Sequence, residues 1–338
     1  MSVNVGVIGV GMIGQDHIRR LSTVLSGGRV VAVTDIDEDL ANKVAATVPG
    51  GATVHPNGQT LIGDQAIQAV LVCSWGPTHE EHVLNCIAAG KPVFCEKPLA
   101  TTPDACRRII DAETATGRRL VQVGYMRRYD AAYRALKATV AGGLIGAPLM
   151  MHCTHRNPSV PGYYESDSAI TDTAVHEIDM VRWLFDEEIA ATSVLQPRRS
   201  RNGGDLPDPM VLLLEMASGI LVDVEVSVNI RYGYDIRGEV VGEDGTAALG
   251  EPSLVTVRSS GGVTNRVPVD WRERFIRAYD VELQEWLDAI RSGAEFGPSS
   301  WDGYAAAVVS DAALEARRTG TRTTVSLADK PALYMGSH

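Results

Sequence analysis

The chain has 338 residues, a formal net charge of −11, and 45% hydrophobic against 22% charged residues. That length exceeds one ordinary core and predicts two domains of a globular protein. The acidity excludes a surface built to neutralise nucleic-acid phosphates or anionic lipid, but not an anionic cofactor held by backbone amides. Cys73, Cys86, Cys95, Cys106 and Cys153 are odd in number and form no CxxC pair, so they predict neither a disulfide framework nor a zinc knuckle and fit a reducing cytoplasm. No basic leader opens the chain and no apolar run approaches membrane-spanning length, so a soluble, unprocessed protein is expected.

In chain order, Val3 to Ile8 reads as a buried strand, after which Gly9, Gly11 and Gly14 fill a GxGxxG pattern ahead of a helix carrying Ile18 and Leu21. The motif is weak alone and strong between a strand and a helix. A second strand, Arg29 to Val33, runs into Thr34 and Asp35, where a dinucleotide fold places the acid that binds the adenosine ribose. Asp35 would repel a 2′-phosphate and no arginine stands at 36–39, so NAD is favoured over NADP. The plain alternative is a structural glycine turn with an aspartate capping the next helix.

Ala69 to Cys73, a helix from Thr78 to Ala89, Val93 to Cys95, a helix near Pro103 to Thr116, and Leu120 to Val123 continue a βα rhythm that predicts a doubly wound parallel sheet. Ser74, Trp75, Gly76 and Pro77 break at the end of a strand, on the ligand side of such a sheet. His79 and His82 could share a helix face, but without a third ligand they read as solvated or capping residues rather than a metal site. Cys95, Glu96, Lys97, Pro98 and Leu99 close the next strand, and Pro98 biases the backbone of Lys97 away from the α region. The candidate cofactor contacts are thus Gly9, Gly11, Met12, Ile13 and Gly14, then Asp35 and Ile36, Ser74, Trp75 and His79, and Glu96 with Lys97.

After Gly124 the rhythm stops, which places a boundary between a dinucleotide domain, 1–124, and a second α/β domain, 125–338, for substrate and oligomerisation. Leu149 to Asn157 alternates, putting Cys153, His155 and Asn157 on one face and His152 and Thr154 on the other. His155 with Asn157 suits hydroxyl binding; a metal held by Cys153 and His155 lacks a third ligand. A loop with Pro158, Pro161, Gly162, Tyr163 and Tyr164 could cover a cleft. Thr171 and Asp172 are expected to cap a helix, with Asp172 and His176 four apart on its first turn and Asp179 either on the same imidazole or in solvent. A carboxylate beside an imidazole is what removing a hydroxyl proton needs near neutral pH; a capping aspartate with an ordinary helix histidine is the alternative. Residues 188–268 read mostly as strand, with a basic loop from Pro197 to Pro209, and two helices follow, Arg272 to Ile290 and Trp301 to Arg318.

The glycine motif, Cys95 to Leu99, Met126 to Asp130, His155 to Pro158, and Asp172 with His176 and Asp179 together resemble the glucose-fructose oxidoreductase-like dehydrogenases, over nearly the whole chain. The resemblance implies an N-terminal Rossmann domain, a C-terminal domain with a large open, mainly antiparallel sheet, and tetramers assembled through those sheets. It implies NAD-dependent oxidation of a polyol, myo-inositol to 2-keto-myo-inositol, with another inositol isomer or a pyranose as alternatives and a non-catalytic NAD(H) sensor behind them. It also implies Lys97, Asp172 and His176 as the catalytic group, with Arg127, His155, Asn157 and Tyr234 near the substrate.

Overall fold

The computed structural model describes residues 2–250, 255–295 and 297–335. The chain divides into two compact units: residues up to Tyr125 with Tyr279–Ala307 and Ala328 onward, and Met126–Ala278 with Val308–Leu327.

In the first unit β1 (Val3–Ile8), α1 (Met12–Thr23), β2 (Gly28–Thr34), α2 (Glu38–Thr47), β3 (Thr53–Val54), α3 (Gly58–Gly63), β4 (Ala69–Val72), α4 (His79–Ala88), β5 (Val93–Glu96), α5 (Pro103–Thr116) and β6 (Val121–Gly124) follow in order. Their strands form a six-stranded sheet, β3-β2-β1-β4-β5-β6, parallel at every pairing. Chain order reverses direction at β1 and β4, which is where open α/β sheets bind ligands. β4, β5 and β6 are buried along their whole length, which is why they read as unbroken apolar runs rather than alternating ones. Local signals end the helices: Thr102 caps α5 by accepting from the Ala105 amide, Pro103 opens it, and Gly117 closes it at φ 67°.

The contiguous division at 124 and 125 is amended on one point. The change of unit falls at Tyr125, but the core of the first unit also takes Leu283, Trp286 and Leu287 from the helix Trp271–Ser292. Buried Glu113 draws in more of the later chain. Its Oε1 accepts from the Leu120 and Val121 amides, and its Oε2 accepts from the Ser300 and Tyr334 hydroxyls, both at 2.7 Å.

The second unit contains α6 (Ala131–Ala141), β7 (Pro148–Arg156), α7 (Val175–Phe185), β8 (Ile189–Leu195), β9 (Met210–Met216), β10 (Leu221–Ser227), β11 (Asp235–Gly242), β12 (Thr246–Ala248), β13 (Thr256–Ser259), β14 (Gly262–Asn265), the first part of α8 (Trp271–Ser292), the last part of α9 (Ser300–Thr319) and β15 (Thr323–Thr324). Residues 251–254, within the stretch expected as mostly strand, lie outside the described residues. A seven-stranded sheet runs β12-β11-β7-β10-β9-β8-β15, with β7 and β10 parallel and the other pairs antiparallel. It is the mainly antiparallel sheet the resemblance implied. Val222, Val224 and Val226 of β10 are buried on one face. On the other, Asp223 pairs with His152 at 2.5 Å and Glu225 with Arg156 at 2.6 Å. Among the described residues no helix is long and apolar enough to cross a membrane.

Candidate active site

The exit of β1 is shaped by three glycines with different tasks. Gly9 has φ +90°, and a Cβ there would lie 2.5 Å from the Ser74 amide nitrogen. A Cβ on Gly14 would stand 2.1 Å from the Gly9 carbonyl oxygen, so that glycine lets α1 pack against the turn. At Gly11 a Cβ would meet nothing within 4 Å; the position is open to whatever approaches the backbone. Gly11 is the N-cap of α1 and supplies no side-chain hydrogen bond, so the amides of Met12, Ile13 and Gly14 start the helix without a side-chain acceptor, a setting suited to a pyrophosphate. Asp35 stands at the end of β2. Its Oδ2 accepts from the Val10 amide at 2.7 Å and its Oδ1 from the Asp37 amide at 3.0 Å, which ties the acid to the glycine turn. Met12, Ile36 and Trp75, each following a strand of this sheet, are 60%, 104% and 77% exposed. An open cradle, uncapped amides and a fixed carboxylate fit a dinucleotide.

Two expected cofactor contacts prove to be inward supports. His79, read as solvated or capping, is buried, with Nδ1 2.7 Å from the Pro98 carbonyl and Nε2 2.9 Å from that of Ser74. It bridges the loops after β4 and β5 from inside. Ser74 Oγ lies 2.7 Å from Thr78 Oγ1. His82 is half-buried, and burial holds its pKa below the ordinary value. Glu96 is also buried: Oε1 faces His17 Nε2 at 2.7 Å and Oε2 accepts from the Lys97 amide at 3.2 Å. Its carboxylate therefore serves the backbone that carries Lys97, a half-buried residue at the strand exit.

The second unit builds a cluster of side chains. Residues Met126–Tyr129 form a short 3-10 turn that aims Arg127 inward, where its guanidinium is paired with Glu177. Arg127, expected near substrate, is thus a buried support: 1% exposed, with Nη2 3.0 Å from His155 Nδ1. Glu177 Oε2 lies 3.0 Å from the same Nδ1. Nδ1 thus faces a guanidinium donor and a carboxylate acceptor at the same distance, which ties the ring to the Arg127–Glu177 pair. His155 Nε2 is 3.5 Å from the Tyr234 hydroxyl, and the ring is centred 5.7 Å from Tyr234 and 6.2 Å from His176. Burial raises the Glu177 carboxyl, but Arg127, and then His155, outweigh it and hold it below its ordinary value. Burial pushes the Tyr234 hydroxyl up to about 12, so it stays a neutral donor.

Asp172 and His176 need correction on local structure. Residues Ala169–Ala174 form a π-helical turn, and α7 starts only at Val175, so Asp172 lies inside a widened turn instead of capping a helix. Such turns cluster at functional sites because the extra residue re-aims its neighbours. Asp172 is exposed and His176 buried. Asp179 does not stand in solvent: it is 1% exposed and accepts from Arg128 Nε at 2.9 Å. Asn157 is half-buried at the end of β7, its carbonyl accepting from the Ile230 amide at 3.0 Å. In the 158–164 loop Tyr163 is 85% exposed, whereas Tyr164 turns in to Thr173, hydroxyl to hydroxyl at 2.6 Å. The arginines of the 197–209 loop are exposed. Glu177 was missed by sequence reasoning, and its adjacency to His176 was the available signal. Among the described residues no group of three or more His, Cys, Asp or Glu is set to hold a metal ion.

A parallel doubly wound sheet with this glycine turn and this acid defines a dinucleotide-binding protein. The chain belongs to the Gfo/Idh/MocA oxidoreductase family: residues 3–125 match its NAD-binding Rossmann fold and 137–327 its C-terminal alpha/beta domain. It is 54% identical over 335 residues to the inositol 2-dehydrogenase of Pseudomonas syringae pv. syringae, covering 99% of this chain and all of the relative. It is 55% identical over 339 residues to inositol 2-dehydrogenase 3 of Saccharopolyspora erythraea, with both chains covered in full. The solved myo-inositol dehydrogenase from Lactobacillus casei, in complex with NAD(H) and myo-inositol, superposes with a TM-score of 0.96 at 40% identity, covering 99% of this chain and all of that one.

Proposed function

We propose that the protein oxidises myo-inositol to 2-keto-myo-inositol with NAD, reversibly. The observation that carries this reading is the end-to-end likeness, above one-half identity, to inositol 2-dehydrogenases. NAD, when bound, supplies the hydride acceptor. The first-turn amides of α1 receive its pyrophosphate and Asp35 its adenosine ribose. The imidazole of His176 takes the proton of the reacting hydroxyl, and Asp172 orients that ring and stabilises the imidazolium. Lys97 Nζ holds and polarises the same oxygen, lowering the cost of alkoxide character. His155, anchored through Nδ1 to the Arg127–Glu177 pair, presents Nε2 to a further substrate hydroxyl, with Asn157 and Tyr234 as companions.

Support for these roles comes from the family resemblance and from the way each unit holds its own share of the residues. We further infer a cytoplasmic homotetramer assembled through the large sheets, which the solution mass would test. The deciding experiment follows absorbance at the NADH band across a panel of polyols. Turnover of myo-inositol above scyllo-inositol, D-chiro-inositol and glucose is the expected result. A preference for another member moves the substrate and keeps the chemistry, and NADH binding with no turnover of any polyol would leave a sensor.

A further inference from the structure

We propose that His17 and Glu96 are positioning residues for Lys97, with Arg20 setting the histidine tautomer through which they act. The inference rests on Lys97 being catalytic. Glu96 ends β5 with its side chain buried, and its two oxygens have different partners: the Lys97 amide at 3.2 Å and His17 Nε2 at 2.7 Å. His17 is fully buried on α1, with Phe94 packed edge-on at 5.9 Å and Tyr279 at 5.8 Å. Its Nδ1 faces Arg20 Nη1 at 3.4 Å.

A guanidinium has donors only. Facing one, Nδ1 must present its lone pair, and the ring proton sits on Nε2, from which it is donated to Glu96. Arg20 cannot turn away, because Asp16 holds it at 2.6 Å, Asp280 at 3.0 Å, and its plane lies 4.9 Å over Tyr279. Every donor in the series thus points one way, from arginine to histidine to glutamate, and the glutamate's remaining oxygen receives the amide of Lys97. The same α1 that opens with the glycine turn therefore also fixes the strand exit bearing the lysine. Backbone placement of that ammonium matters because displacing a reacting group by about 1 Å can cost about 10²-fold in rate.

The test compares His17→Leu, which removes both polar atoms, with His17→Gln, whose amide keeps a donor toward Glu96. For His17→Leu we expect kcat with myo-inositol to fall about tenfold or more while NADH affinity, read by fluorescence, stays within about threefold. His17→Gln should recover most of kcat. Glu96→Gln, which keeps the shape of the side chain, should repeat the kcat-selective loss, and it carries the test if His17→Leu does not fold. Wild-type kcat in His17→Leu, equal losses in the two His17 variants, or a loss of NADH affinity as large as that of kcat would overturn the proposal. Lys97→Ala separates the two levels. If it turns over normally the catalytic reading of Lys97 is lost, whereas a Lys97→Ala defect beside a fully active His17→Leu removes only the positioning role.

Discussion

The cofactor cradle of the first unit and the polar cluster of the second solve the same problem, holding polar groups ready for a ligand, with opposite materials. In the first, glycines at 9, 11 and 14 shape a turn that leaves backbone amides open to a ligand, and the carboxylate beside it, Asp35, is fixed by the Val10 and Asp37 amides. In the second, Arg127, His155, Glu177 and Tyr234 arrive from separate elements and orient each other by side-chain contacts. A backbone cradle fails when something is added. A side-chain cluster fails when one member is taken away, because the rest are left buried and unpaired.

The largest expected effects therefore come from removals in the second unit. His176→Ala should lower kcat by about 10²- to 10⁴-fold, the usual worth of positioned acid–base catalysis, while NADH titrates as in wild type. Near-normal turnover would remove His176 from its role. Glu177→Ala should cost about 3–5 kcal/mol in urea unfolding, since it strands the buried Arg127 guanidinium. A loss below about 1 kcal/mol would show that the cluster is not held by charge.

The same glutamate predicts an acid limit. Its folded pKa is held below the ordinary 4.5, so its contribution to stability is present above that value and is lost as pH falls through the folded pKa. Acid unfolding of wild type should include this component below about pH 4.5, and Glu177→Gln should lack it.

Additions to the first unit should act more mildly and in two distinct ways. Gly14→Ala drives a methyl into the Gly9 carbonyl and should cost about 1–3 kcal/mol by thermal unfolding. Gly11→Ala places its methyl in open space, so stability should change by no more than about 0.5 kcal/mol while NAD affinity falls. If both variants lose only stability, the turn is structural and not a cradle. Smallest in energy is Asp35→Ser, expected to weaken the preference for NAD over NADP in initial rates; unchanged discrimination would place the selectivity elsewhere.

The contrast in materials also explains what could be read in advance. Backbone devices leave a spacing in one short stretch, so Gly9, Gly11, Gly14 and Asp35, the parallel sheet and even Lys97 before Pro98 were legible. Side-chain networks leave no such trace. Glu177 meets Arg127 and His155 across long sequence separations, and its one local signal, adjacency to His176, does not say that the side chain points inward. His79 and Glu96 were visible as polar residues at strand ends, but the direction in which they point is settled by packing. The π-helical turn around Asp172 was hidden for a related reason, because a helix period assumes a regular pitch.

The helix Trp271–Ser292 has a consequence for how the protein comes off the ribosome. Leu283, Trp286 and Leu287 complete the apolar core of the first unit, and Ser300 and Tyr334 complete the buried sites around Glu113. The first 125 residues therefore emerge with part of their core missing. At ~5–20 residues per second, they wait about 10–40 s for the segments that close it. Completion of the first unit thus waits on segments encoded far downstream, although its sequence comes first.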